Sequence, residues 1–333
     1  MSKLKLIQVG IGGMGDTWVR TVLASSEMEY AAWVDIDRHT LEQQSQKYGF
    51  DINHCYTSLE QALERERADG LINVTPPAAH ETICMTALAA GLPVLTEKPL
   101  ASSLAAAKRL VTTAEQAGLT LMVAQNYRYQ PLTMTLHELI SKKGILGQVG
   151  QVAVQFFKGP HFGGFREEME FPLLVDMAIH HFDLMRYILG KDPQSVRGKS
   201  WNPSWSWFRG DASVALLFTF QEGLPVVYTG SWCAMGAETS WNGDWRIEGE
   251  RGVLLSQEDQ IYFGTPGKRE LEKVPLLSCE RTGQAYLLHE FFLALTEGYI
   301  PKTHGADNIK SLEMVFGAIE AVHTGNIVRL GDD

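Results

Sequence analysis

Short apolar runs alternate with helical stretches through the first 125 residues. Residues 4–9, 31–34, 70–74, 93–95 and 120–124 are runs of strand length. Between them, helices are predicted from about Gly13, Thr40 and Ala79 onward and over 102–117. Near-continuous apolar strands alternating with helices are the pattern of repeated βαβ units and a parallel sheet covered on both faces. After a helix at 131–143 and a turn at 144–147 the texture changes. Runs rich in β-branched and aromatic residues at 149–157, 213–220, 226–232 and 245–248 are interrupted by one strong helix, 172–189, with Gly190 as its stop. A mostly antiparallel sheet with a helix on one face is therefore predicted, followed by closing helices near 284–296 and 307–323. The expected fold class is α/β, divided into domains 1–125 and 126–333.

Composition narrows this picture by exclusion. A chain of 333 residues with 45% hydrophobic and 20% charged positions is long enough for about two globular cores. Lys and Arg number 29 against 39 Asp and Glu, a net charge of −10 that repels a phosphate backbone, so nucleic acid is not an expected partner. Cys55, Cys84, Cys233 and Cys279 lie far apart without a C-x-x-C pair and read as buried apolar residues of a reducing cytoplasm rather than metal ligands. The first residues run quickly into a Gly-rich turn, so no secretory leader is expected. No stretch approaches ~20 uncharged apolar residues, so a cytoplasmic protein with no membrane partner is expected. The sequon Asn73-Val74-Thr75 is read as chance.

Gly10-Ile11-Gly12-Gly13-Met14-Gly15 fits G-x-G-x-x-G, directly after an apolar strand and at the start of a helix predicted to place Met14, Trp18 and Val22 on one face. The first glycine permits a tight turn, the second a close approach to a pyrophosphate, and the third close packing of helix on strand. The helix N-terminus offers its free N–H groups to phosphate. Asp35 stands about 20 residues further on, where an acid holds the ribose hydroxyls. A carboxylate there repels a 2′-phosphate by a few kcal/mol, ~4 at close range for an intermediate dielectric. NAD is therefore expected over NADP, with Asp37 read as a turn or cap residue and Arg38 as the feature that keeps NADP open.

The segment 73–80, Asn-Val-Thr-Pro-Pro-Ala-Ala-His, is followed by Thr96-Glu97-Lys98-Pro99-Leu100. The second half carries Asn126-Tyr127-Arg128-Tyr129-Gln130-Pro131, Gly144-Ile145-Leu146-Gly147 and Asp176-Met177-Ala178-Ile179-His180-His181-Phe182-Asp183. Taken in order, these resemble the Gfo/Idh/MocA family of glucose-fructose oxidoreductase and inositol dehydrogenase over essentially the whole chain. The resemblance implies a Rossmann domain for NAD and a C-terminal α/β domain for substrate and oligomerisation, whose open sheet often joins subunits into a homodimer or homotetramer. It implies hydride transfer at a secondary alcohol of a sugar, cyclitol or related polyol. Lys98, Asp176 and His180 match the family's residues around the reacting carbon, while Thr75, Pro76, His80, Glu97 and Asn126, with Lys98, match positions bordering the cofactor. Ala178 departs from the glycine many members carry.

These residue types suit the chemistry. Oxidising an alcohol needs a base for the hydroxyl proton, and histidine as a residue type titrates near neutrality. Asp176 and His180 are i and i+4 on the predicted helix, where the carboxylate can fix the imidazole tautomer. Lys98 follows a strand end at the C-terminal edge of the sheet, where its ammonium can polarise the reacting oxygen or serve as the base. His161 and Arg166, in the loop 158–171, are candidate substrate contacts. Asp176, His180 and Asp183 also have ligand-like spacing, but no metal is expected. His181, about 100° around the helix from His180, reads as packing, and Arg128 as substrate contact or structural. Six of the eight tryptophans fall in the second half, suited to stacking on sugars or to an interface. Two further readings stay open: a redox-neutral enzyme that retains NAD and cleaves glycosides, and a non-catalytic NAD-binding regulator.

Overall fold

The computed structural model describes residues 3–331; Met1, Ser2, Asp332 and Asp333, at the ends of the two expected domains, lie outside the described residues. The chain divides into two compact units, one of residues up to Asn126 plus Arg281–Ile309, the other of Tyr127–Glu280 plus the remainder from Lys310.

In the first unit, strands β1 (Leu4–Val9), β2 (Met28–Val34), β3 (Cys55–Tyr56), β4 (Gly70–Asn73), β5 (Val94–Thr96) and β6 (Leu121–Val123) form one sheet in the order β3-β2-β1-β4-β5-β6. All its pairings are parallel. Helices α1 (Met14–Leu23), α2 (Arg38–Tyr48), α3 (Leu59–Arg65), α4 (His80–Ala89) and α5 (Leu104–Ala117) connect them. Asp37 caps α2, accepting the His39 N–H at 3.0 Å and the Thr40 hydroxyl at 2.7 Å, as a cap residue should. Strands covered on both sides lose alternation, and β4, β5 and β6 are buried at every position.

The sequence reading places everything after residue 125 in one domain, whereas 281–309 pack with the first unit. The helix Gly283–Glu297 sets Phe291 against Gly70, where a Cβ would approach the ring to 3.0 Å. The following loop extends the sheet edge, Val123 N–H donating to the Thr303 carbonyl at 2.9 Å.

In the second unit, helix α6 (Pro131–His137) leads into β7 (Val149–Phe157), and helix α7 (Ile179–Leu189) precedes β8 (Pro193–Trp201), β9 (Ser213–Phe220) and β10 (Pro225–Ser231). The sheet is completed by β11 (Asp244–Gly249), β12 (Gly252–Gln257), β13 (Gln260–Gly264), β14 (Leu271–Val274) and β15 (Val328–Arg329). The nine strands run in the order β14-β13-β12-β11-β7-β10-β9-β8-β15. Only β7 and β10 pair in parallel; the other pairings are antiparallel. Alternation sends Val214, Leu216, Phe218 and Phe220 of β9 inward, and Phe182 of α7 packs edge-on against Phe218 and Tyr228 at 5.0 and 5.3 Å. As the glycine after the apolar run predicts, α7 stops at Gly190 in the left-handed conformation.

A buried polar network fixes α7. Arg128 donates from two nitrogens to Asp183, both at 2.6 Å, and Ser311 donates to the same carboxylate at 2.7 Å. Arg186 reaches Ser311 at 2.9 Å and Asp192 at 3.0 Å. Arg128 is thus structural. Arg128→Ala strands the Asp183 carboxylate in a dry interior, and a loss of about 3–5 kcal/mol is expected in urea unfolding; a loss below about 1 kcal/mol would contradict this role.

Candidate functional site

The turn between β1 and α1 has the geometry the glycines call for. Gly10 sits at φ 86°, and a Cβ there would stand 2.6 Å from the Val74 carbonyl oxygen. A Cβ on Gly15 would lie 2.4 Å from the Gly10 carbonyl oxygen, so helix and strand meet only through glycine. Gly12 and Gly13 instead are uncrowded: a Cβ on Gly12 would make an ordinary 3.7 Å contact with Thr40, and one on Gly13 would meet nothing within 4 Å. No side chain caps α1 at Gly13. An uncapped helix start behind an open glycine cradle fits a pyrophosphate. Ile11 is buried beneath it. Met14 departs from the sequence reading: it is 53% exposed at the mouth of the turn, and the buried face of α1 is Gly15, Trp18, Val19 and Val22.

Asp35 closes the cradle at the end of β2, accepting the Ile11 N–H at 3.0 Å through one oxygen and the Asp37 N–H at 3.0 Å through the other. Arg38 is exposed and pairs with Glu42 at 3.1 Å. Gln8, buried in β1, donates its side-chain amide to the Gly10 and Gly15 carbonyls, both at 2.9 Å, while its own carbonyl accepts from the Tyr30 hydroxyl. Sequence reasoning missed this brace, for which a polar residue within an apolar strand was the only signal.

Further along the same unit, Asn73 at the end of β4 accepts from the Thr75 hydroxyl at 2.7 Å and donates to the Thr96 hydroxyl at 3.1 Å. His80 is fully buried, with Nδ1 2.7 Å from the Pro99 carbonyl and Nε2 2.8 Å from the Thr75 carbonyl. Burial holds its pKa below the usual histidine value, and the two carbonyls oppose that shift. With a proton on each nitrogen, its ring ties the Thr75-Pro76 loop to the turn that carries Lys98; the neutral ring donates to one of the two carbonyls. Glu97 accepts the Trp18 indole N–H at 2.8 Å and the Lys98 backbone N–H at 3.2 Å, and burial raises its carboxyl above the usual range. Asn126 opens the 3-10 turn Asn126–Tyr129.

In the second unit, Asp176 lies on a π-helical turn, Leu173–Ala178, immediately before α7, and His180 is the second residue of α7. Such widened turns are rare, mostly single turns, and frequent at functional sites. The expected role for Asp176 is to orient His180, yet its carboxylate also accepts Arg166 Nε at 2.7 Å. The Arg166 guanidinium lies 5.4 Å from the Phe162 ring and 4.9 Å from Phe165, so this predicted substrate contact is anchored on a predicted catalytic residue. His161 stacks on Trp207 at 3.8 Å. Tyr127 stacks on His180 at 4.3 Å, and burial pushes its hydroxyl up to about 12; the sequence pattern around Tyr127 does not signal this role.

His181 faces the other way, as the helix angle predicts. It is buried, with Nδ1 3.0 Å from the Tyr228 hydroxyl and Nε2 3.1 Å from the Trp241 carbonyl. The carbonyl requires the proton on Nε2, so Nδ1 accepts from Tyr228. Cys55, Cys84 and Cys233 are buried, while Cys279 is only partly so. Among the described residues no group of three His, Cys, Asp or Glu side chains is arranged to hold a metal, and no helix is long and apolar enough to cross a membrane.

A parallel sheet with this glycine cradle and acid, followed by a large mixed sheet and a helix that carries His180 just after Asp176, defines an NAD(P)-dependent dehydrogenase. Residues 4–125 match the family model described as an oxidoreductase family with an NAD-binding Rossmann fold, and 133–255 match the GFO/IDH/MocA C-terminal domain. The chain is 31% identical to the uncharacterized protein y4oX of Sinorhizobium fredii, over 98% of this chain and 95% of that one. It is 24% identical to a D-apiose dehydrogenase of Paraburkholderia graminis, over 91% of this chain and 83% of that one. A crystal structure of an Agrobacterium radiobacter oxidoreductase in complex with NAD+, L-tartaric acid and magnesium has the same fold, with TM-score 0.90, 22% identity and 99% of each chain covered. The chain belongs to the GFO/IDH/MocA oxidoreductase family.

Burial holds His181 down to about pH 4 against an ordinary 6.5. Between those values the unfolded chain binds the extra proton, so stability falls as pH drops through the window, by about 3 kcal/mol once fully below it. His181→Phe should flatten that part of the pH–stability curve measured by urea unfolding. An unchanged slope would show that His181 does not carry it.

Proposed function

We propose that the protein transfers hydride between NAD and a ring secondary alcohol of a sugar, glycoside or cyclitol. The observation that carries this reading is the pairing, in one chain, of a dinucleotide cradle closed by Asp35 with a buried histidine on α7 flanked by Asp176 and Tyr127. When bound, the nicotinamide exchanges a hydride with the carbinol carbon.

The chain's residues do the rest. Gly10 through Gly15 cradle the pyrophosphate and Asp35 takes the ribose hydroxyls, which disfavours a 2′-phosphate and selects NAD. Thr75, Pro76, Glu97 and Asn126 border the cofactor; His80 acts through the Thr75 and Pro99 carbonyls it holds. Lys98 polarises the reacting oxygen, His180 takes or returns the hydroxyl proton, and Asp176 supports the charge that His180 gains. Stacking on Tyr127 limits rotation of the imidazole. The relatives named for apiose, 1,5-anhydrofructose and inositol support a sugar or polyol substrate. We propose further that copies of the chain associate through the sheet face opposite α7, where Val227 is 42% exposed.

Lys98→Met and His180→Asn should each lower kcat at least 100-fold while leaving NAD affinity within about threefold, read by stopped assay and calorimetry. Full turnover in both variants would defeat these roles. Asp35→Ser should bring NADP affinity up by about tenfold or more relative to NAD, and an unmoved ratio would remove Asp35 from the selection.

A further inference from the structure

We propose that residues 162–166 form an outer subsite for a second sugar ring, so that the substrate is a glycoside of at least two rings rather than a free monosaccharide or cyclitol. The proposal rests on the reading of His180 and Asp176 as the reacting end. Phe162 and Phe165 are 49% and 57% exposed, although large aromatic rings are costly to leave in water. They are nevertheless held in place. Arg166 lies within 5.4 Å of both rings and is fixed at its Nε by Asp176, and Phe162 meets Trp232 edge-on at 6.1 Å. Gly163 and Gly164, at φ 65° and 66°, turn the chain between the two rings.

Rings immobilised by a cation and left open on another face suit the apolar C–H face of a pyranose, whose hydroxyl edge can meet the guanidinium. One side chain, Arg166, links this seat to Asp176, so a sugar reacting beside His180 would carry its neighbour onto the seat. The two half-exposed rings offer on the order of 200 Å², well short of the ~800 Å² per partner of a stable protein interface. A small ring fits that area, whereas these two rings by themselves are too little for an interface between copies of the chain.

The NAD-loaded protein and its Phe162→Ala, Phe165→Ala variant should be titrated by calorimetry and saturation-transfer NMR with cellobiose, maltose, lactose and chitobiose, and with glucose, galactose and N-acetylglucosamine. At least one disaccharide should bind about tenfold or more tighter than its monosaccharides, and the variant should lose most of that advantage while monosaccharide and NAD affinities stay put. No disaccharide advantage in the native protein, or equal loss for one-ring and two-ring sugars, would overturn the subsite. Because binding is read without turnover, the two readings separate. Tight two-ring binding with no hydride transfer would count against the dehydrogenase reading alone, and NADH from monosaccharides without a two-ring advantage would count against the subsite alone.

Discussion

At Gly10 the backbone passes so close to the loop after β4 that a single added carbon would stand 2.6 Å from the Val74 carbonyl oxygen. The rest of the first unit depends on that approach. It sets the turn against the Thr75 loop, and Gln8 then draws the Gly10 and Gly15 carbonyls inward. From Thr75 the constraint passes by hydrogen bonds. Asn73 couples Thr75 to Thr96, and His80 couples it to the Pro99 carbonyl, one residue beyond Lys98. Trp18, on the helix that starts at the glycine cradle, holds Glu97 from the other side. A side chain at Gly10 would therefore disturb both the phosphate cradle and the lysine turn.

The second unit relies on charge where the first relies on close backbone packing. Arg128, Asp183, Ser311, Arg186 and Asp192 form a continuous chain of bonds, mostly buried, through and beyond α7. Ion pairs taken out of water contribute little net stability, but breaking one is expensive, so such a network enforces a particular arrangement. What it enforces is the orientation of α7. One side of that helix presents His180 to Tyr127, and the other buries neutral His181 against Tyr228 and the loop carrying Trp241. Two adjacent histidines thereby sit in different surroundings, one stacked on a tyrosine and the other held by a hydroxyl and a carbonyl.

Much of this was legible in the residues, for reasons that differ by element. The glycine turn and Asp35 were readable because Gly10 and Gly15 answer steric demands that no other residue meets, at a fixed distance before an acid. β7 and β9 were readable in full because long β-branched and aromatic runs leave little alternative. The two-residue strands β3 and β15 and the polar edge strand β14 carry no such pattern; they pair because the sheet beside them is already formed. The return of 281–309 to the first unit rests on Phe291 meeting Gly70 and on Thr303 meeting Val123, contacts between residues more than 170 positions apart, which no local pattern encodes. Among the candidate residues, the types of Lys98, Asp176 and His180 were visible, whereas the hold of Arg166 on Asp176 and the stacking of Tyr127 on His180 depend on how a loop and a turn fold back onto α7.

Direct transfer of hydrogen between a ring carbon and the cofactor is the step on which the proposed chemistry stands. The most direct measurement is to supply NAD together with candidate sugars, glycosides and cyclitols deuterated at the carbinol carbons, and to weigh both products. Ring oxidation at the site described here predicts NADH one mass unit heavier and a ring ketone that has lost the deuterium. Unlabelled NADH, or deuterium released to water with no reduced cofactor at any point in the turnover, would contradict it.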